Sequence, residues 1–165
     1  MRPEELRAVQ EPLKNRYREE PGSALVTLRA EGELGAEGVA CSVETGRALV
    51  EAGLHPATGG DTSRACSGDM LLQALAACAG VTLRSVAVNR GLEVRGRVVA
   101  EGDLDFRGTL GVGREAPVGF TAIRLRFELD SPASDEELER LLAVTERYCV
   151  VYQTLVGGVP VEITR

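Results

Sequence analysis

The chain has no tryptophan, only three phenylalanines and three tyrosines, and a single histidine, His55. One imidazole cannot build a histidine-based metal centre. The four cysteines, Cys41, Cys66, Cys78 and Cys149, nowhere form a C-x-x-C pair, so no zinc and no other metal is expected. The glycine pairs Gly59-Gly60 and Gly111 to Gly113 lack the lysine and helix start of a phosphate loop, and no cofactor is expected either. Clusters of lysine and arginine are missing too. With a net charge of -6, nucleic acid and anionic membranes are excluded as expected partners. The longest apolar stretch, Met70 to Val88, is interrupted by Gln73, Arg84 and Ser85, which fits a buried core helix better than a membrane span. The start, Met-Arg-Pro-Glu-Glu-Leu-Arg, has no apolar leader segment; a cytoplasmic location with reduced thiols is expected.

What remains is an ordinary globular composition of 165 residues, 44% hydrophobic and 27% charged, expected to form one domain over 1–165. Residues 1–20 read as an appended helical arm: Pro3 suits a first helical position, and Leu6, Val9, Leu13 and Tyr17 fall at three- and four-residue spacings, with Pro12 expected to kink or split the helix. Short strands are expected at Ala24 to Ala30 and Gly38 to Glu44 around a glycine-rich turn. A long connection, 47–66, follows, and loops of that length are often functional. Ser67 is a good N-cap for a helix running to about Asn89, which Gly91 can end. Strands are expected at Glu93 to Asp105 and at Ala122 to Leu129, where Ile123, Leu125, Phe127 and Leu129 alternate with Arg124, Arg126 and Glu128. Ser134 and Glu137 make a capping box for a helix carrying Leu138, Leu141, Leu142 and Thr145 on one face. Val159, Val161 and Ile163 suggest a last strand. Without a regular βαβ alternation, the class is α+β with a mainly antiparallel sheet, a buried central helix and a second helix.

The cysteines are the natural nucleophiles. Taken alone, Cys78 is explained as well by inert packing, because free cysteine behaves as a small buried hydrophobe. It lies ten residues beyond Gly68, about 15 Å along the helix, too far for the helix N-terminus to stabilise a thiolate. Burial raises a thiol pKa, so a reactive Cys78 needs a cation from elsewhere: Arg29, Arg64 or Arg84. Asp69 could orient such an arginine, although an acid in the first turn of a helix is also explained by the helix dipole. Cys66, immediately before the N-cap, is the rival thiol. Cys41 has only a packing reading. Cys149, at or just beyond the end of the second helix, could approach another thiol. His55 could serve as a base, but it stands alone in a loop.

Ser67 to Leu83, with its cysteine after Leu-Ala-Ala in an apolar helix, and Glu-Arg-Tyr-Cys-Val-Val-Tyr-Gln-Thr-Leu around Cys149 together resemble the OsmC/Ohr family of osmotically inducible and organic hydroperoxide resistance proteins. The likeness covers about residues 24–165. It implies an intertwined homodimer with active sites at the subunit interface, Cys78 in the peroxidatic position and Cys149 in the resolving one. The family's site also holds an arginine from the N-terminal strand region, best matched by Arg29, and a glutamate ten positions before the cysteine. Here Gly68 occupies that position and Asp69 is the nearest acid. The activity implied is a thiol peroxidase that reduces an organic hydroperoxide through a Cys78 sulfenic acid and a Cys78–Cys149 disulfide, with a dithiol as reductant. A non-enzymatic module for a small apolar ligand, or a redox sensor of the same fold, are the alternatives.

Overall fold

The computed structural model describes residues 3–34, 41–43, 52–60, 62 and 65–165; for 3–7, 28–34 and 41–43 the description is of the backbone alone. The chain divides into two compact units through which several elements run. The first comprises Met1–Ala30, Thr45–Leu72 and Ala100–Arg124, the second Glu31–Glu44, Gln73–Val99 and Leu125–Arg165.

A four-stranded sheet has the order β2-β1-β5-β6, built from β1 (Leu25–Leu34), β2 (Cys41–Val43), β5 (Arg95–Asp105) and β6 (Phe120–Asp130). β1 and β2 pair antiparallel, Gly32 opposite Val43 and Leu34 opposite Cys41. The turn expected at 31–37 therefore starts later, because β1 continues through Leu34. β6 follows its sequence pattern: Ile123, Leu125, Phe127 and Leu129 are half-buried while Arg124 and Arg126 are exposed. A separate parallel pair, β3 (Ala52–Gly53) and β4 (Ala65–Cys66), lies in the long connection, setting Gly53 opposite Cys66.

The first unit is organised around helix α1 (Pro3–Glu19), which passes through Pro12 without interruption. A proline removes one amide and leaves the carbonyl four residues earlier without its helical partner. Here Ala8 and Pro12 are both exposed, so water can satisfy that carbonyl. On the opposite side Tyr17 is fully buried and its hydroxyl donates to the Ala57 carbonyl at 2.6 Å. Gln10 adds a bond to the Thr58 carbonyl at 3.3 Å. The helical arm thus holds the loop that carries His55.

Helix α2 (Ser67–Asn89) begins at the expected serine and ends at Gly91, whose φ of +66° is the left-handed conformation glycine adopts readily. It is long and apolar enough, by length and composition, to cross a membrane. However, Leu72, Leu75, Ala76, Ala79, Leu83 and Ala87 form a continuous buried face, each with no more than 2% of its surface exposed. In the second unit Leu83 and Ala87 pack with Val94 and Leu141. Arg84 is also buried there, and its Nη1 donates to the Val94 carbonyl at 3.1 Å.

After the one-turn helix α3 (Phe106–Thr109), helix α4 (Asp135–Tyr148) starts with the reciprocal capping box of Ser134 and Glu137. A further helix, α5 (Val150–Gly157), follows after the single residue Cys149 and was not anticipated by the pattern of Val150 and Val151. Beyond Gly158 the chain forms no strand, and Val161 and Ile163 are almost wholly exposed. An alternating sequence makes a strand only where another strand supplies its hydrogen bonds.

Candidate active site

Cys149 is the hinge between α4 and α5. Its amide still donates to the Thr145 carbonyl at 2.9 Å, while its own carbonyl receives the Gln153 amide at 2.9 Å. Its extended ψ of 106° breaks the helix for one residue and turns the side chain inward. There it is 1% exposed, packed with Ala79 of α2 and Val98 of β5, and surrounded by Cys78, Leu125, Phe127 and Tyr152. The two thiols, 71 positions apart in the sequence, pack together and are not joined as a disulfide.

Burial first, and then the neighbouring Cys78, push the Cys149 thiol up to about 11 against the opposing pull of the Tyr152 and Val151 amides. Cys149 is therefore a protonated thiol at neutral pH. Cys78 is only half-buried, the more exposed residue of the two.

Against Cys149 lies a cavity of about 210 Å³ whose other walls include Ala79, Leu125, Phe127 and Leu142. Glu146 and Tyr152 supply its polar edge, the Tyr152 hydroxyl donating to the Glu146 carboxylate at 2.8 Å. That space suits a small, mostly apolar molecule. In the sequence Phe127 reads only as part of the buried face of a strand and Tyr152 only as part of the motif around Cys149, since only the packing of α5 and β6 brings them to the thiols.

The other expected site residues belong to other segments of the chain. Arg29 lies in β1 and Cys41 in β2, both where the backbone alone is described, and Arg64 lies outside the described residues. Arg84 is engaged with the start of β5. Asp69 occupies the first turn of α2 in the first unit, close enough to His55 for each charge to influence the other. Burial raises the Asp69 carboxyl against that influence, and burial lowers the His55 imidazole, with Asp69 opposing.

His55 and Cys66, two residues treated separately in the sequence, line one cavity of about 320 Å³ within the first unit. The imidazole stacks on Phe106, with ring centroids 4.8 Å apart and planes 15° from parallel. Its Nδ1 accepts the Ala57 amide at 3.0 Å. Among the described residues, no group of three or more histidine, cysteine or acidic side chains is arranged to hold a metal ion.

The sequence model of OsmC-like proteins matches residues 59–164. The chain belongs to the OsmC-like family. Two crystal structures share its fold. One is an OsmC-like hydroperoxide resistance protein from Jannaschia sp. CCS1, with 18% identity, a TM-score of 0.57, and 85% of this chain and 91% of that chain covered. The other is an OsmC-like protein from Mycoplasma pneumoniae, with 17% identity, a TM-score of 0.54, and coverage of 81% and 86%. No curated protein sequence matches. The OsmC-like region spans both thiols of the pair and β5 to α5, whereas α1 precedes it.

Proposed function

We propose that this OsmC-like protein is a thiol-dependent peroxidase that reduces organic hydroperoxides in the cytoplasm, acting as a single domain and as a homodimer. The observation that carries this reading is the packing of a half-buried thiol, Cys78, against a buried one, Cys149, that lines an apolar cavity. The hydroperoxide resistance protein of the same fold supports the substrate class.

In this reading the Cys78 thiolate attacks the outer peroxide oxygen, the O–O bond breaks, and the products are the Cys78 sulfenic acid and an alcohol. The Cys149 thiol then displaces the sulfenic hydroxyl, forming the Cys78–Cys149 disulfide and releasing water. A dithiol, either a small molecule or a lipoyl or thiol protein, takes up the disulfide and restores both thiols. The high pKa of Cys149 fits the second role, because a protonated thiol is a poor first nucleophile. Arg29 is assigned the cation that stabilises the Cys78 thiolate, and Asp69 the acid that orients it.

The homodimer is supported by two unpartnered apolar surfaces. Met70, Val81 and Val88 form an exposed stripe on α2, and Val159, Val161 and Ile163 are exposed in the tail. A second copy can cover both.

Reduced protein treated with cumene hydroperoxide should form a Cys78–Cys149 disulfide, seen by peptide mapping, and should consume peroxide in the presence of dihydrolipoamide. C78S should abolish consumption, while C149S should stop at a trappable sulfenic acid. R29K should retain more activity than R29A, as expected of a cationic role. Absence of both disulfide and consumption would sink the enzyme reading, and disulfide formation without turnover would make the protein a redox sensor.

A further inference from the structure

The peroxidase reading leaves the cavity of the first unit unused. Its described lining residues include no lysine, arginine, aspartate or glutamate. Leu54, Leu104, Val118 and the rings of Phe106 and Phe120 make its walls apolar. Phe106 is itself 4% exposed, held between the protein and the face of His55. Phe120 lies across Gly102, where a Cβ would sit 2.4 Å from the ring; glycine there makes room for the aromatic wall.

The polar character comes from His55, Cys66, Ser67, Thr58 and Thr109. The Thr58 hydroxyl is committed to the His55 carbonyl at 2.9 Å, and that of Thr109 to the Val118 carbonyl at 3.4 Å. His55 is more specific. Because Nδ1 accepts the Ala57 amide, the proton of the neutral ring resides on Nε2. Burial keeps the ring in that neutral form. In this tautomer His55 is a hydrogen-bond donor rather than a base for Cys66.

The loop holding this donor is braced from several sides. Tyr17 and Gln10 of α1 bind the carbonyls of Ala57 and Thr58, and the Gly60 amide returns to the His55 carbonyl at 3.1 Å. A donor fixed before binding loses little entropy on binding. The volume is at the small end of ligand pockets.

We infer that this cavity is a second binding site, for an uncharged aromatic molecule with an acceptor oxygen, such as an aryl ketone, whose oxygen receives the His55 Nε2–H. The ring would stack against the aromatic walls, and a carboxylate would be disfavoured because no lining side chain offers it a counter-charge. Cys66, in the same lining, reports on occupancy. This site stands independently of the peroxidase reading.

Acetophenone is a suitable probe. Alkylation by N-ethylmaleimide would be followed at each cysteine by peptide mapping, with and without the ketone. Acetophenone at about four times its Kd should slow Cys66 alkylation about fivefold by simple occupancy. H55F, which keeps a ring but removes the donor, should weaken this protection about tenfold in Kd. V118W, a substitution at an exposed position of the rim, should abolish it by filling the space, with folding checked by circular dichroism. No protection of Cys66 up to the solubility limit of the ketone overturns the site. Undiminished protection in H55F overturns the donor, and undiminished protection in V118W places the ketone elsewhere; should H55F fail to fold, V118W decides.

Discussion

At the scale of single residues, the two thiols of the pair are distinguished by environment more than by chemistry. Cys149 is buried with Ala79 and Val98, whereas Cys78 is only half-buried. The difference has a thermodynamic signature. A thiol raised from 9.0 to about 11 favours the protonated folded state, so its stabilising contribution is complete below pH 9 and is lost as pH climbs from 9 to 11. The stability advantage of the wild type over C149A should shrink by about 2 kcal/mol across that interval, measured by urea denaturation at each pH. A constant difference would mean that Cys149 is not buried as a neutral thiol. At the arm, Y17F removes the bond to Ala57 and should cost about 1 kcal/mol in the same assay.

At the scale of elements, local chemistry explains the ends of the long helices. The Ser134 side chain accepts the Glu137 amide while Glu137 returns to the Ser134 amide, so S134A should cost about 1 kcal/mol in thermal or urea denaturation. Gly96 in β5 tells the opposite story. Its φ is +127° and a Cβ would lie 2.0 Å from the Glu128 carbonyl oxygen, so G96A should destabilise by about 2 kcal/mol or more. That requirement was not legible in the sequence, where Gly96 is one glycine in a strand pattern. The helix from Ser67 and the alternation of β6 were legible, because caps and periodicities are local. Helix α5 was not: Val150, Val151 and Val156 favour strands on their own, and the helix follows from the turn at Cys149.

At the scale of the whole molecule, the exposed apolar surface bears on the proposed homodimer. Met70, Val81 and Val88 recur on the side of α2 opposite its buried face, and the tail beyond Gly158 alternates in sequence like a strand but pairs with none among the described residues. The double variant V88D/I163D should shift a dimer toward monomer in sedimentation equilibrium, with secondary structure retained. A monomeric wild type at micromolar concentration would remove the homodimer from the proposed function. The same surface bears on the membrane question, since α2 has the length and hydropathy of a span but turns Leu72, Leu75, Ala79 and Leu83 into protein.

By itself the sequence determined the α+β class, the central helix, its glycine end and the two cysteines most worth pairing, because these depend on residues a few positions apart and on a resemblance carried by short motifs. Only the tertiary structure decided which thiol is buried, which aromatic side chains surround it, and that Asp69 neighbours His55. It also joined His55 and Cys66 in one cavity. Burial and charge environment depend on residues far apart in the chain, such as Cys78 and Cys149, and become definite only when α2, β5 and α5 pack together.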